Sequence, residues 1–597
     1  MKKSYAAAVL TIGFAAILVY LGTLHSPFLY DDFHTIVDNP YITDLKYIPE
    51  YFLVAKANSD KLEHSSWRPL WYLSFALNYR LGGLDTLGYH LFNIILHTLN
   101  SLLVFFLALL ILKDRDKKLL SALIAGLVFA LHPVQTEAVS NIVGRSALLA
   151  AFFYILAFIL YVTFRDTGKK KWAALAGLSF LLALTSKENA VTLPLMVLAY
   201  EYILRGREKK PKAFIAALVL TSVLFSAFRL YIGYIGPHPT MPRNLLVNCM
   251  TEAYVVPLYI LKAVFPFNLN IDHDVPDIVS ILDPRLLVSI FVLAAIFYML
   301  YRLWRANRTA GFLGLWFFVA LIVETAMPIA DVMVEHRLYL PLAGPSILAG
   351  LAAGALASSV AGRRKLILAV AGVAAFVSLG AATVARNAVY RSETSVWMDS
   401  AGKSPLKARP LYMSGLSLWR QGDLEGAVGL MERAVQLEPN TITLTGLGVV
   451  LVQLHRDQEA FSCFNQVLSA DHDNVQAHYS LGTIYLMRKD YVGAIRELET
   501  TVRLAPDMAK AHRNLGSAYY RAGELDRSID EYARALSLAP LDKDSIFNIA
   551  VAYERKGEKK LAVQYFRLYL KNYPGDTERE YDDAARVQKE IERLEKN

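Results

Sequence analysis

The run Tyr30-Asp31-Asp32 sets two adjacent carboxylates directly after the first long apolar stretch of the chain. Pro27, Phe28, Leu29 and Tyr30 stay apolar up to the pair, so both acids are expected at a membrane surface, partly withdrawn from water. Desolvation raises a carboxylate's basicity, which suits removal of a proton from an alcohol. Further on, Trp67 and Arg68 precede a proline, and His90, Asn93, His97 and Asn100 recur at steps of three and four. That spacing draws one polar stripe along an apolar helix. Polar side chains at membrane depth must face protein or a wet cavity. Asn93 and Asn100 are expected to bond neighbouring helices, and His90, near the helix end, to line a pocket.

Three later motifs carry charge. His132-Pro133 leads to Glu137, Asn141 and Arg145, four apart and so able to share a helix face. Lys187-Glu188 interrupts an apolar run, and Glu335-His336-Arg337-Leu338-Tyr339 enters another. Charged groups there are costly and point to function, with a salt bridge in a wet turn as the plainer reading for Lys187 and Glu188. Arg145, Lys187 and Arg337 are expected at one leaflet, where converging cations would suit a lipid-linked phosphate. No HExxH spacing occurs, and Cys249 and Cys463 form neither a disulfide framework nor a metal knuckle. No metal centre is expected from spacing, and dependence on a divalent cation stays open.

The elements that must position these groups are apolar helices. Of 597 residues 55% are hydrophobic and 19% charged, and the apolar runs crowd the first 385 or so. About eleven stretches approach the roughly 20 residues a helical span needs: 5–24, 89–112, 119–138, 146–164, 172–186, 189–204, 212–233, 283–303, 311–329, 340–360 and 364–384. Lys2-Lys3 with no small-x-small cleavage site after the first run indicates an uncleaved span rather than a signal peptide. Threading eleven spans from a cytoplasmic N-terminus leaves every basic cluster (Lys2-Lys3, Lys113 to Lys118, Arg165 to Lys171, Arg205 to Lys212, Arg302 to Arg308, Arg363 to Lys365) in the cytoplasm. Loops 25–88 and 234–282 and everything beyond 385 are then extracytoplasmic. Leu245 to Phe265 is expected to be interfacial or re-entrant, since another span would invert the charge pattern. The net charge of +9 therefore marks topology in the plasma (inner) membrane, not nucleic-acid binding.

Beyond about Leu411 a period of 34 residues sets in, the length of a tetratricopeptide repeat (TPR). Gly448, Gly482, Gly516 and Ala550 keep that step, with Gly415 one residue out of register. Ala427, Ala460, Ala494, Ser528 and Ala562 hold the small position of the second helix, and Pro439, Pro506, Pro540 and Pro574 close units. The expected organisation is an all-α membrane bundle over 1–400, a solenoid of five repeats over 408–574 and a capping helix over 577–597.

Taken together, Tyr30-Asp31-Asp32 with Asn39, Trp67-Arg68-Pro69-Leu70, Gly88-Tyr89-His90, His132-Pro133-Val134, Thr136-Glu137-Ala138-Val139, Gly144-Arg145, Ser186-Lys187-Glu188 and Glu335 to Pro341 resemble the transmembrane and TPR-containing O-mannosyltransferases, in a bacterial-type form. The resemblance implies a GT-C glycosyltransferase fold, a polyprenyl-phosphate sugar donor (mannose in the family) and an extracytoplasmic polypeptide acceptor docked on the TPR groove. It implies catalysis by Asp31 and Asp32, with the leaving phosphate neutralised by Arg145, Lys187 and Arg337. Trp67, Arg68, His90, His132, Glu137, Glu188, Glu335, His336 and Tyr339 would line the pocket. Five repeats are fewer than eukaryotic members commonly carry, which leaves the acceptor and the sugar open. Two other classes compete: a membrane-anchored TPR assembly factor without catalysis, and a transporter whose short paired segments around Ser186 to Asn189 are broken helices.

Overall fold

The computed structural model describes residues 2–53, 67–112, 117–206, 208–235, 243–326, 331–572 and 578–596. Among the described residues every regular element is helical, and the chain divides into two compact units, 1–404 and 405–597.

In the first unit the helices are α1 (Lys2–Tyr20), α2 (Ile48–Leu53), α3 (Pro69–Gly82), α4 (Thr86–Ile111), α5 (Lys118–Leu131), α6 (Thr136–Ser140), α7 (Arg145–Thr167) and α8 (Lys170–Leu184). They continue with α9 (Leu193–Ala199), α10 (Lys212–Ile235), α11 (Leu245–Val264), α12 (Pro284–Ala306), α13 (Arg308–Ala326), α14 (Ala343–Ser359), α15 (Arg363–Val389) and α16 (Glu393–Lys403). Eight helices among the described residues are long and apolar enough to cross a bilayer, or nine if α5 and its continuation through α6 count as one span. Pro133 explains the 48° bend in that pair, because it removes a backbone donor and crowds the preceding turn. The eleven expected spans thus include shorter elements: α8 has 15 residues and α14 has 17, while 189–204 breaks into a 3-10 turn, α9 and a π-helical turn. Leu245–Val264, expected at the interface, is a helix of spanning length.

Small residues let these helices meet closely. A Cβ at Gly350 of α14 would collide with the Ser121 carbonyl of α5, and one at Gly354 with the Ser121 hydroxyl. Deeper in, Tyr154, Phe158 and Phe312 meet Trp316 edge to face, and Phe158 stacks on Phe312, between α7 and α13.

The second unit pairs α17 (Ala408–Arg420) with α18 (Leu424–Leu437), α19 (Thr441–Gln453) with α20 (Asp457–Ala470) and α21 (Val475–Met487) with α22 (Tyr491–Leu504). Then come α23 (Ala509–Ala522) with α24 (Leu525–Leu538), α25 (Lys543–Lys556) with α26 (Lys559–Asn572), and α27 (Glu578–Lys596). The 34-residue glycines have a steric cause: a Cβ at Gly448, Gly482 or Gly516 would come within 2.7 Å of Phe464, 2.6 Å of Leu498 or 2.8 Å of Tyr532 on the partner helix. Val587, Ile591 and Leu594 of α27 cover the apolar end of α26. Pro574, the outer ends of 577–597 and most of the Lys113 to Lys118 cluster lie outside the described residues.

Gly350→Val places branched carbons against backbone, so it is expected to destabilise the bundle by ~1–3 kcal/mol. A thermal-unfolding scan of the detergent-solubilised protein should show a lowered midpoint, with Gly372→Val, where a Cβ meets nothing within 4 Å, unchanged.

Candidate active site at one end of the bundle

The two aspartates are unlike. Asp32 is 0% exposed; its Oδ2 accepts the Leu29 amide at 2.8 Å and its Oδ1 the Val143 amide at 3.1 Å. It therefore pins the loop after α1 to the turn before α7. Burial pushes the Asp32 carboxyl up to about 7, with the neighbouring Asp31 charge adding to the rise against the pull of those two amides and Arg145. Asp31 remains partly exposed. Tyr30 just before it holds a left-handed backbone (φ 30°), a strained state for tyrosine, with its ring edge-on to Trp397 at 5.4 Å.

Arg145 departs from expectation. The side chain is 0% exposed, and its three nitrogens bond neutral acceptors: Asn93 Oδ1 at 2.8 Å, Asn78 Oδ1 at 2.6 Å, the Ser74 carbonyl at 3.1 Å and the Tyr89 carbonyl at 2.9 Å. Phe75 and Phe92 stack over it at 4.5 and 4.4 Å. Its role as a phosphate ligand is revised accordingly. Arg145 ties α3, α4 and α7 together and adds positive potential beside Asp32.

Lys187 and Arg337 do come together, on a residue the sequence reading missed. Glu324 at the end of α13 meets Lys187 Nζ at 2.7 Å and Arg337 Nε at 3.6 Å. Beside them Arg68 forms a fork with Glu188, at 2.6 and 3.2 Å, and α3 carries this pair towards Asp32. Trp71 Nε1 donates to the Val143 carbonyl at 3.1 Å, and the same Val143 donates its amide to Asp32. Burial alone would raise Glu188, but Arg68, Lys187 and Arg229 outweigh it and hold its carboxyl well below the usual range. Trp67 lies edge-on to Phe228 of α10 at 5.1 Å.

Four cations, Arg68, Lys187, Arg229 and Arg337, thus share one electrostatic neighbourhood with three carboxylates, Glu188, Glu252 and Glu324. Around α13's end three buried acceptors have no hydrogen-bond partner: Asn189 Oδ1, Asn248 Oδ1 and Glu252 Oε2. Buried polar atoms are normally paired, so these three acceptors stand out beside the cations.

The remaining predicted residues form a second group. Glu137 accepts the Glu335 amide at 2.7 Å and His336 Nδ1 at 2.7 Å. Glu335 in turn accepts from His273 at 3.0 Å and the Asn270 amide at 2.5 Å, with Arg386 3.8 Å away. The short helix Glu335–Leu338 sends Arg337 to Glu324 and its two predecessors to this network. His90, His132 and Tyr339 bond within the bundle, and His90 Nδ1 is buried with no hydrogen-bond partner. His90 Nε2 meets the Ser26 carbonyl at 3.0 Å; His132 bonds the Ala263 carbonyl and the Val134 amide; Tyr339 bonds His97 at 2.8 Å and Asn100 at 3.1 Å. Among the described residues no group of three or more His, Cys, Asp and Glu side chains is placed to hold a metal ion.

The fold and site define a multi-pass membrane protein with a TPR solenoid. The Tetratricopeptide repeat family matches residues 412–473, 445–509, 493–543 and 513–577. The chain is similar to Protein O-mannosyl-transferase Tmtc1 of Drosophila melanogaster, 39% identical over 30% of this chain and 20% of that one. It is also similar to Protein O-mannosyl-transferase TMTC4 of Mus musculus, 27% identical over 70% of this chain and 65% of that one. With TMTC3 of Homo sapiens the identity is 26% over 74% of this chain and 52% of that one. The chain spans less than two thirds of the length of these relatives. Among solved structures the crystal structure of MamA is 28% identical over 26% of this chain and 93% of that one, with a TM-score of 0.25. The resemblance read from the sequence is matched by these relatives.

Asp32 yields a pH test. Its folded pKa, about 7, lies above the ordinary 3.8, so the folded state keeps this proton longer than the unfolded chain. Its contribution to stability is fully present below about pH 4, falls as pH rises through the window and is gone above about 7. Asp32→Asn cannot titrate. The unfolding midpoint of the parent should fall between pH 4 and 7 more steeply than that of the variant.

Proposed function

We infer that the protein is an integral-membrane glycosyltransferase. It moves a sugar, mannose by analogy with the names of its relatives, from a polyprenyl-phosphate donor to Ser or Thr hydroxyls of an extracytoplasmic polypeptide. The observation that carries this reading is the four-cation centre with its orphaned acceptors at the end of an apolar bundle. A sugar phosphate on a lipid is anionic at one atom group and rich in hydroxyl donors at the next, and it reaches a protein through the bilayer. Arg229 and the aromatic contacts of Trp67 both involve α10, whose face is largely exposed and apolar. That surface offers the isoprenoid chain a side approach.

In this mechanism Asp31 accepts the proton of the attacking hydroxyl as its oxygen bonds to the anomeric carbon. The bond from that carbon to the phosphate oxygen breaks, and the phosphate leaves with the electron pair. Arg68, Lys187, Arg229 and Arg337 offset the developing charge in a medium with little water, where such stabilisation is strongest. Asn189, Asn248 and Glu252 accept from sugar hydroxyls. Asp32 and Arg145 position the machinery without touching substrate. In this reading the TPR unit docks the acceptor and, with the site, faces the extracytoplasmic side of a plasma (inner) membrane.

The test is transfer of labelled mannose from polyprenyl-phosphate mannose to a Ser/Thr-rich peptide by the full chain in nanodiscs. Asp31→Asn should lower the rate by ~10²–10⁴ without weakening donor binding, whereas Arg337→Gln should weaken donor binding itself. Unchanged transfer in both variants would overturn the catalytic assignment in favour of a membrane-tethered docking protein.

A further inference from the structure

The face of the solenoid formed by the first helices of each pair changes chemistry along its length. Position 446 and its equivalents 34 residues apart are Gly446, Ser480, Asn514 and Asn548. At the N-terminal end glycine opens the floor, and the Tyr412 ring lies directly over it; a Cβ at Gly446 would strike that ring. Behind it is a pocket of about 350 Å³ walled by Tyr412, Leu416, Trp419, Ile442 and Val449. Trp419 is held in place by donation of its Nε1 to Gln453 at 2.8 Å. Ile442 is 66% exposed at the lip, and the buried Thr445 hydroxyl in the wall has no hydrogen-bond partner. Further along, Asn514 and Asn548 line a second cavity of about 720 Å³ whose wall is charged, with Arg513, Lys543, Arg586 and Glu590 among its residues.

An apolar floor with an unpaired hydroxyl beside it fits one kind of occupant better than others. A bulky aliphatic or aromatic side chain fills the pocket, and the flanking backbone amide or carbonyl meets Thr445. A lipid tail would leave that hydroxyl unmet, and a sugar could stack on Tyr412 or Trp419 but would set its hydroxyls against Leu416, Ile442 and Val449. The second cavity suits the backbone of a polar stretch: Asn514 Nδ2 already donates to Tyr479 and Thr483, which leaves its oxygen to accept, and Asn548 can donate and accept.

We propose that the solenoid selects extended polypeptide segments bearing one bulky apolar residue, seated between Tyr412 and Trp419, joined to a polar stretch that runs to Asn514 and Asn548. This rests on the reading of the TPR unit as the acceptor dock and gives that dock a sequence preference.

The experiment measures fluorescence anisotropy of labelled 16-residue peptides on the full chain in nanodiscs. One peptide is a Ser/Thr/Gly sequence with a single leucine near one end, and the other has serine at that position. The leucine peptide should bind at least tenfold tighter, as expected for burying such a side chain. Trp419→Ala should erase that difference and Thr445→Val should weaken the leucine peptide severalfold. Gly446→Ser, which displaces the Tyr412 ring without removing aromatic surface, should lower discrimination while leaving the helical circular-dichroism signal intact. Equal binding of the two peptides, or discrimination that survives Trp419→Ala, overturns the proposal. So does self-association of the chain that Trp419→Ala abolishes, because the pocket would then hold a second copy. Selective binding without sugar transfer would sink the catalytic reading alone; transfer with no leucine preference would sink this one alone.

Discussion

A guanidinium taken wholly out of water dictates how this end of the bundle is built. Arg145 sits where the start of α7, the middle of α3 and the first turns of α4 converge, and it is answered by dipoles instead of a carboxylate. Desolvating a charge costs several kcal/mol, and it is tolerated only when nearly every donor is met. Ser74, Asn78, Tyr89 and Asn93 must therefore hold their positions together, and the aromatic faces of Phe75 and Phe92 close the cage. The result is a rigid corner carrying uncompensated positive potential. Asp32 lies within that field, and its clamp on Leu29 and Val143 carries the rigidity to Asp31.

The same accounting separates structural from reactive groups elsewhere. Arg165 with Glu201 is a matched pair at 2.7 Å, with the Tyr161 hydroxyl also satisfied on that carboxylate. Nothing is left over there for a ligand. Around Glu324 the pairing is incomplete, with buried cations standing beside three unmet acceptors. Natural interiors rarely carry that combination unless a site must be kept ready for something that supplies the missing partners.

How much was legible in the sequence follows from the range of each interaction. The TPR period is local: glycine is needed where a neighbouring helix passes within van der Waals contact, and the need returns every 34 residues. The acidic pair and the charged motifs were likewise visible as short strings that violate their apolar surroundings. What could not be read was which partner each charge meets. Arg145 looks like a phosphate ligand when only Glu137 and Asn141 are in view, but Asn78 and Ser74 lie some seventy residues away in the chain. Glu324 was hidden for the opposite reason, as a single acid near the end of an apolar run that looks like a span terminus. The span count slipped because length alone separates a crossing helix from a broken one. The segment 189–204 divides into a 3-10 turn over Glu188–Thr192, α9 with Pro194 in its first turn, and a π-helical turn.

The contrast between Asp31 and Asp32 shows what adjacency in sequence conceals. Two neighbouring carboxylates cannot both be buried and ionised without large repulsion, so a fold that keeps both must give them different work. Burial and two backbone donors give Asp32 the holding role. A strained Tyr30, propped by Trp397, turns the chain so that Asp31 keeps contact with water and with whatever approaches from it. Asp32 is in turn joined through Val143 and Trp71 to Arg68, so the held carboxylate and the cationic centre share one framework.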